Sequence, residues 1–332
     1  MTDTLTIARR FLNGARRTAI FAITSRCNCR CQMCNIYDNK PLDMNYHDIG
    51  KVLNFLVSHK FLIAYFTGGE PSLHPDLVRI VEYANGLGLV TSLTTNGTIS
   101  VELLEALKRA GLYALSVSVD SWDSSFCEKV RNHNGLGEKQ RRTFEAARKL
   151  GIKTYSLTYL GKHLSAGNIE KMVAYVNGCL GVPFGFCYPA VSRENTYRLG
   201  QSAETLPADE VKRIIERLLV LKRKGYRIVN MATYLEDALK FHEGKPTVYP
   251  CRAGEFVVYV DWFGDVYPCF KKKKLFNVLK DGKDKQKLLE NEPCDACLID
   301  CFREPSLMAY LPSPKLILRE ISDGSLTKGT IL

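Results

Sequence analysis

The chain has 332 residues, of which 45% are apolar, 24% are charged and 12 are cysteines. This length can bury one large hydrophobic core or two smaller ones, so a globular protein is expected. The formal net charge of +11 indicates a basic solvated surface or an anionic partner, but the aromatic and basic residues are not interleaved as in RNA-binding proteins, and no nucleic-acid partner is expected.

Nine of the 12 cysteines lie in two clusters, and the first 17 residues contain four arginines and no apolar stretch of signal-peptide length. A cytoplasmic location is therefore expected, and in a reducing compartment clustered thiols indicate metal or redox ligands. The apolar runs are shorter than the roughly 20 residues of a membrane-spanning helix.

Residues 1–17 are predicted to form a basic amphipathic helix. Either its apolar face closes one end of the following domain, or the helix rests on the inner face of an anionic membrane and delivers a lipid. The apolar face would hold Leu5, Ile7, Ala8, Phe11, Leu12 and Ala15, and the opposite face Arg9, Arg10, Arg16 and Arg17.

From residue 18 to about 225, short β-rich runs alternate with amphipathic segments. Six such units predict an α/β domain over 18–230, with a parallel sheet, outer helices and a functional site at the carboxyl ends of the strands. The predicted strands are 18–24, 61–67, 89–95, 113–119, 152–159 and 182–189, and the predicted helices lie near 45–58, 75–88, 101–110, 138–150, 166–178 and 207–225.

The pattern changes after residue 230. The stretch EFVVYVDWFGDVYPC (255–269) predicts a β-hairpin that turns near Phe263 and Gly264, and a lysine run (271–274) and a cysteine-dense segment follow. We expect a small α+β cysteine-rich domain over 231–305, with a tail at 306–332.

Directly after the first predicted strand, SRCNCRCQMCNIY (25–37) holds four cysteines. Cys27, Cys31 and Cys34 have the spacing C-x3-C-x2-C, which can place three thiolates around one face of an iron–sulfur cube and leave the fourth iron open. Cys29 is expected to point elsewhere. A zinc site is the alternative, although structural zinc usually has four ligands.

This motif resembles the hallmark of the radical S-adenosylmethionine (SAM) superfamily, with Met33 at a position that is commonly aromatic. TGGEP (67–71), which ends the second predicted strand, is similar to the family's GGE motif, whose backbone and glutamate hold the amino group of SAM. The resemblance therefore implies SAM contacts by Gly68, Gly69 and Glu70. Glycines permit close approach of the main chain, and a carboxylate offsets an ammonium group.

Four further residues follow later predicted strands and are candidates for the same pocket. By resemblance, Ser118 and Asp120 would recognise the ribose, Asn96 would line the pocket, and Arg131 would lie near the SAM carboxylate. The alternative is local, because Ser, Asp and Asn at strand ends often cap the next helix.

The resemblance covers roughly residues 18–225 and implies a partial (β/α)6 TIM-like barrel. It also implies a [4Fe–4S] cluster held by three cysteines and reduced by a flavodoxin- or ferredoxin-type protein. The reduced cluster would cleave SAM to methionine and a 5′-deoxyadenosyl radical, which abstracts hydrogen from the substrate.

The second cysteine set is similar to the SPASM/twitch auxiliary domains of many radical SAM enzymes, which implies one auxiliary [4Fe–4S] cluster. A zinc site with four cysteine ligands is the alternative. One of the five cysteines is surplus to four ligands, and Cys301 is the candidate for that position. The set comprises Cys251, Cys269, Cys294, Cys297 and Cys301.

The expected function is a radical SAM enzyme that acts on a small molecule, a sugar or a lipid, and in which the auxiliary cluster assists oxidation or substrate binding. The alternatives are a peptide-modifying enzyme and a non-catalytic iron–sulfur electron carrier or regulator. Among the remaining cysteines, Cys187 ends the sixth predicted strand at the expected mouth of the site. It could donate a hydrogen atom there or be a buried structural thiol.

Overall fold

The computed structural model describes residues 4–15, 17–188, 206–310 and 313–322. Six parallel strands form the barrel and lie in chain order, so the predicted α/β partial barrel is confirmed. Each predicted strand is found within two residues of its expected bounds. The strands are β1 (Arg17–Thr24), β2 (Phe61–Gly68), β3 (Val90–Thr95), β4 (Ala114–Ser118), β5 (Lys153–Tyr159) and β6 (Phe184–Cys187).

Helices connect the strands and cover the outside of the sheet, as predicted. The helix α5 was not predicted, because only Cys127 and Val130 of its eight residues are buried and its apolar periodicity is weak. A π-helical turn, Tyr175–Cys179, extends α7. The helices are α1 (Thr4–Leu12), α2 (Tyr46–Ser58), α3 (Leu77–Gly86), α4 (Val101–Arg109), α5 (Ser124–Arg131), α6 (Leu136–Lys149), α7 (Ile169–Ala174), α8 (Ala208–Arg223), α9 (Ala232–His242), α10 (Asp300–Ser306) and α11 (Pro314–Ser322).

The alternation of side chains along the strands produces two apolar cores. In β1, Phe21 and Ile23 pack with the outer helices, whereas Ile20 and Ala22 face the inside of the barrel. The inner residues belong to a buried group that we call the inner cluster. Its buried members are Ile20, Ala22, Ile36, Cys251, Ala253, Val257, Tyr259, Trp262, Tyr267, Cys269, Phe270, Ile299 and Phe302.

The predicted hairpin is present and consists of β7 (Val257–Val260) and β8 (Asp265–Tyr267), with Gly264 in a left-handed conformation at the turn. β9 (Phe276–Asn277) follows it. β7 also pairs in parallel with β1, so that one nine-stranded sheet runs from β6 to β9. The sheet is therefore continuous across the predicted boundary at residue 230, and the division into domains remains a prediction.

The N-terminal helix packs against one end of the barrel. Ile7 and Phe11 contact a buried group that includes Leu62 and Val90. The Arg10 guanidinium donates to the carbonyl oxygens of Leu87 and Phe61 at 2.9 and 2.7 Å. These contacts fit a helix that closes the barrel.

The two predicted faces of this helix are wrong in part. Leu5 and Leu12 are 79% and 77% exposed, and Arg10 points at the barrel instead of into solvent. Arg17 is the first residue of β1 and donates to the carbonyl of His59, and Arg16 lies outside the described residues. No helix in the described ranges has the length and apolar character needed to span a membrane.

Candidate functional site

The cysteine motif lies in the loop that leaves the carboxyl end of β1. The loop runs beside the end of α5, because Arg30 N donates to Arg131 O at 3.1 Å and Gln32 N donates to Val130 O at 2.9 Å. Cys31 is buried, and Cys27 and Cys34 are half-buried. α5, which the sequence did not reveal, therefore positions the cysteine loop.

The Cys29 side chain lies among the other motif cysteines instead of pointing elsewhere, so its expected orientation was wrong. Its buried thiol forms hydrogen bonds with the thiols of Cys27 and Cys31. These bonds lower the pKa of Cys27 and, together with the nearby Arg131 guanidinium, lower the pKa of Cys31 to about 7. Burial raises the pKa of Cys34 to about 12.

The donor set suits an iron–sulfur cluster, since thiolates are the ligands of such clusters and two of the three motif thiols lie where the thiolate is favoured. Within the part of the chain that the structure describes, no three Cys, His, Asp or Glu side chains converge on one point as metal ligands do. Ligation by Cys27, Cys31 and Cys34 therefore remains a prediction.

Gly68 and Gly69 bring the end of β2 against the start of the cysteine loop. A Cβ atom on Gly68 would lie 2.3 Å from the carbonyl oxygen of Thr24, and one on Gly69 would lie 2.1 Å from that of Arg26. Both distances are far below van der Waals contact, so any larger residue would displace the loop. The glycines are thus required by protein packing as well as by the SAM contact that the sequence implied.

Glu70 joins the ends of β2 and β3. It is 1% exposed, and its carboxylate accepts hydrogen bonds from Asn96 N (2.7 Å), Thr95 Oγ1 (2.9 Å) and Ser72 N (3.1 Å). Burial raises its pKa. In this arrangement the carboxylate holds the loop that carries Asn96.

Asn96 connects this loop to the cysteine motif. Its Nδ2 donates to Asn28 Oδ1 at 2.8 Å and to Cys29 Sγ at 3.2 Å. The structure therefore brings Glu70, Asn96 and the cysteine loop together at one edge of the sheet, as the positions of these residues after parallel strands led us to expect.

Asp120 and Arg131 form a buried ion pair. Arg131 Nε donates to Asp120 Oδ2 at 2.7 Å, and Arg131 Nη2 donates to Oδ1 at 3.1 Å. The Asp120 side chain is fully buried, and Arg131 Nη1 lies 3.9 Å from Cys31 Sγ. The sequence treated these residues as separate SAM contacts, whereas the structure pairs them behind the cysteine loop.

Ser118 ends β4 and is half-buried, and its carbonyl accepts a hydrogen bond of 2.6 Å from Gln140 Nε2. Sequence reasoning missed Gln140. The available signal was a glutamine at an apolar position of α6, in register with Leu136, Phe144 and Ala147. A buried amide at such a position usually has a hydrogen-bond partner.

A hydroxyl cluster on the inner face of the barrel was also missed. Tyr65 of β2 and Ser116 of β4 share a hydrogen bond of 2.6 Å, and the phenol of Tyr155 from β5 bonds to the Tyr65 phenol. Burial raises the pKa of Tyr65 to about 12 and also raises the pKa of Tyr155, so both phenols stay protonated at neutral pH.

Four of the five C-terminal cysteines share one region. Cys251 and Cys294 pair through two backbone hydrogen bonds of 3.0 and 2.9 Å. Cys269 and Cys251 both belong to the inner cluster, against which Cys297 packs. The charge of Cys297 contributes to the pKa of each of those two thiols, which burial chiefly raises.

Cys301 has a different neighbour. Its thiol donates to Asp300 Oδ2 at 3.6 Å and also interacts with the thiol of Cys187. The other carboxylate oxygen of Asp300 accepts a hydrogen bond of 2.7 Å from Tyr188 N, which ties α10 to the end of β6. Which four of the five cysteines are ligands therefore remains a prediction.

A half barrel with a cysteine-rich loop and a glycine pair at its carboxyl edge defines a class of iron–sulfur, SAM-binding proteins. Residues 21–176 match the family model of the radical SAM superfamily. This segment, which contains the cysteine loop and the glycine pair, is thus similar to the radical SAM superfamily.

Curated relatives agree with this assignment. The chain is 24% identical over 282 residues to "AdoMet-dependent heme synthase" of Methanosarcina barkeri, an alignment that covers 78% of each protein. It is 27% identical over 205 residues to "GTP 3',8-cyclase" of Aliarcobacter butzleri and spans only 60% of that protein.

Two solved structures share the fold. Streptococcus suis SuiB bound to S-adenosylmethionine superposes with a TM-score of 0.64 at 16% identity, covering 80% of this chain and 64% of SuiB. Native anSMEcpe with bound AdoMet and Kp18Cys peptide superposes with a TM-score of 0.63 at 19% identity, covering 81% and 79% of the two chains. At these identities the likeness establishes the fold alone.

Proposed function

We propose that this protein uses SAM to abstract a hydrogen atom from an unreactive C–H bond of a small molecule. The observation that carries the proposal is the cysteine loop at the end of β1, in which Cys31 lies beside the Arg131 guanidinium. When bound by Cys27, Cys31 and Cys34, a [4Fe–4S] cluster would supply the electron that cleaves SAM to methionine and a 5′-deoxyadenosyl radical.

Residues around the cysteine loop favour its binding of the [4Fe–4S] cluster. Hydrogen bonds from Cys29 favour the thiolates of Cys27 and Cys31, and the Asp120–Arg131 pair supports the same loop from behind. Asp120 and Arg131 do not need to move to support the loop, because Asp120 already holds the Arg131 guanidinium in place.

The proposed SAM contacts divide into two groups. The main chain at Gly68 and Gly69 and the half-buried Ser118 would contact SAM directly. Glu70, Asn96, Asp120 and Arg131 are largely buried and engaged with protein atoms, and would act by holding those contacts in position.

A small-molecule substrate is supported by the relative whose alignment covers 78% of both chains and whose name specifies heme synthesis. It is also supported by the neutral hydroxyl groups of Tyr65, Ser116 and Tyr155 on the inner face, which suit a substrate with an uncharged polar group. The contacts of α1 do not favour lipid delivery, because Ile7, Phe11 and Arg10 face the barrel.

A second candidate function is peptide modification. It is favoured by the shared fold with SuiB, which binds the precursor peptide SuiA, and with anSMEcpe, which binds the Kp18Cys peptide. A peptide substrate would be expected to compete with a small molecule for the same inner face.

We further propose that Cys251, Cys269, Cys294 and Cys297 hold one auxiliary [4Fe–4S] cluster. This set is supported because Cys251 and Cys294 pair through their backbones, Cys251, Cys269 and Cys297 belong to or pack against the inner cluster, and Cys301 interacts with Cys187. Iron and sulfide analysis of the full chain after anaerobic reconstitution tests the proposal. About eight irons per chain are expected for two cubane clusters, and zinc without sulfide at the second site would contradict it.

The reductant is proposed to be a flavodoxin- or ferredoxin-type protein. The segment 271–287 presents exposed lysines beside the auxiliary cysteines, and Lys271 N lies 3.4 Å from Cys269 Sγ. Such a surface would attract an acidic electron carrier, and the rate of reduction by that carrier should fall as salt increases.

The central test is the formation of 5′-deoxyadenosine by the reconstituted full chain with SAM and a chemical reductant. We expect slow release from the parent protein and from Cys179→Ala, an exposed thiol outside the site. Cys31→Ala should abolish it. If Cys31→Ala behaves like the parent, or if no 5′-deoxyadenosine is formed at all, the non-catalytic alternative would be favoured.

A further inference from the structure

A pair of thiols, Cys187 and Cys301, lies at the inner mouth of the barrel and is used by neither proposed cluster. Cys187 is the last residue of β6, and it faces inward because Phe184 and Phe186 of the same strand pack with the outer helices. Cys301 begins the first turn of α10 and packs against the inner cluster.

A hydrogen bond between their neighbouring residues holds the two thiols close together. The Asp300 carboxylate accepts the hydrogen bond from Tyr188 N, so the residues next to Cys301 and Cys187 are joined directly. The Cys301 thiol donates to the second oxygen of the same carboxylate at 3.6 Å and interacts with the Cys187 thiol. The pair is partly exposed, so a molecule in the lumen can reach it.

The surroundings of the pair are those of the proposed active site. Tyr65, Cys27 and Cys34 pack against the same inner cluster as Cys301. The hydroxyl cluster of Tyr65, Ser116 and Tyr155 lies on the same inner face. Cys187 of β6 pairs with Tyr159, four residues beyond Tyr155 on β5, and is near enough to affect the pKa of the Tyr155 phenol. A radical formed on a substrate in this space would therefore meet a thiol.

We propose that Cys187 is a hydrogen-atom donor and that Cys301 is its resolving partner, an inference that rests on the proposed radical SAM function. An S–H bond is weaker than an alkyl C–H bond, so a carbon radical takes the hydrogen atom of Cys187 and leaves a thiyl radical. The substrate then leaves with one new C–H bond and no unpaired electron.

The thiyl radical is resolved within the pair. As the sulfur–sulfur bond forms, the Cys301 proton passes to the Asp300 carboxylate and the resulting two-sulfur radical anion gives its extra electron to an oxidised one-electron carrier protein. The products are a Cys187–Cys301 disulfide, one proton and one reduced carrier. A dithiol restores the pair by thiol–disulfide exchange.

The first experiment tests proximity and needs no turnover. The full chain is treated anaerobically with oxidised glutathione and digested, and its peptides are analysed by mass spectrometry. We expect a peptide cross-linked through Cys187 and Cys301, and in Cys301→Ser we expect Cys187 as a mixed disulfide with glutathione. If Cys179 is glutathionylated while Cys187 and Cys301 remain unlinked, the pair is too far apart and the proposal is wrong.

The second experiment tests the donor role with SAM alone. Reconstituted protein, freed of added thiols and kept in D2O with a chemical reductant, should form 5′-deoxyadenosine that carries deuterium, because exchangeable S–D and phenol O–D groups beside the radical can supply it. Deuterium should fall to background in Cys187→Ala and stay at the parent level in Cys179→Ala. Unchanged incorporation in Cys187→Ala would overturn the assignment.

Two further outcomes distinguish a failure of the donor role from a failure of the proposed radical SAM function. If no 5′-deoxyadenosine forms in any variant, the proposed function fails and the donor role fails with it. If Cys301→Ala loses about four irons per chain relative to the parent, Cys301 is a cluster ligand and cannot be the resolving thiol.

Discussion

Removal of the Arg131 guanidinium should be strongly destabilising. In Arg131→Leu the carboxylate of Asp120, whose side chain is fully buried, loses two hydrogen bonds of 2.7 and 3.1 Å and keeps one from Tyr159 N at 3.2 Å. Breaking a buried ion pair by removing one partner costs about 3–5 kcal/mol. We therefore expect the free energy of unfolding to fall by about 3–5 kcal/mol, measured by urea denaturation followed by circular dichroism.

The matched control is Arg142→Leu, which removes an ion pair with Glu138 whose side chains are 72% and 58% exposed. Exposed pairs contribute about 0–1 kcal/mol, so this variant should differ little from the parent. The double variant Arg131→Leu, Asp120→Asn should recover part of the loss, since the orphaned charge is removed. A loss below about 1 kcal/mol in Arg131→Leu, or strict additivity in the double variant, would refute the reasoning.

Three other outcomes follow from the same contacts. Gly69→Ala should prevent reconstitution of the motif cluster, since its Cβ would lie 2.1 Å from Arg26 O; normal iron content would contradict this. Arg10→Ala should lower the free energy of unfolding by about 1–3 kcal/mol, because two carbonyls lose their donor, and urea titration measures this. In Cys29→Ala the pKa of Cys31, about 7 in the parent, should rise, so that iodoacetamide alkylates Cys31 of the cluster-free protein more slowly at pH 7. If the pH at which the alkylation rate is half-maximal does not change, Cys29 does not act on Cys31.

The sequence was a good guide where one physical signal dominated. Short β-rich runs between amphipathic segments predicted all six barrel strands, and Gly264 predicted the hairpin turn, because each pattern has few structural solutions. The two cysteine clusters predicted the position of the site for the same reason. These features depend on local residues alone.

The contacts that the sequence did not reveal depend on tertiary structure. Asp120 and Arg131 were each identified, but their pairing requires α5, a helix whose weak periodicity hid it. The Cys29 thiol turns toward Cys27 and Cys31 because Asn96, from another loop, donates to it. Its orientation could not be deduced from loop spacing.

The pairing of Cys301 with Cys187 could not be predicted either. The two residues are far apart in the chain, and their contact depends on the hydrogen bond between Tyr188 and Asp300. Spacing marked Cys301 as surplus to four ligands but could not show that its thiol interacts with Cys187 and donates to Asp300.

The parallel pairing of β1 with β7 has a consequence for biogenesis. Thr18 of β1 pairs with Val257 of β7, which is synthesised about 240 residues later. This contact of high sequence separation can form only after most of the chain has left the ribosome. Until then β1 presents an open sheet edge, which is a template for aggregation. The nascent chain therefore passes through an aggregation-prone interval during which the early cysteine loop stays uncovered, and the last quarter of the chain ends that interval by completing the sheet.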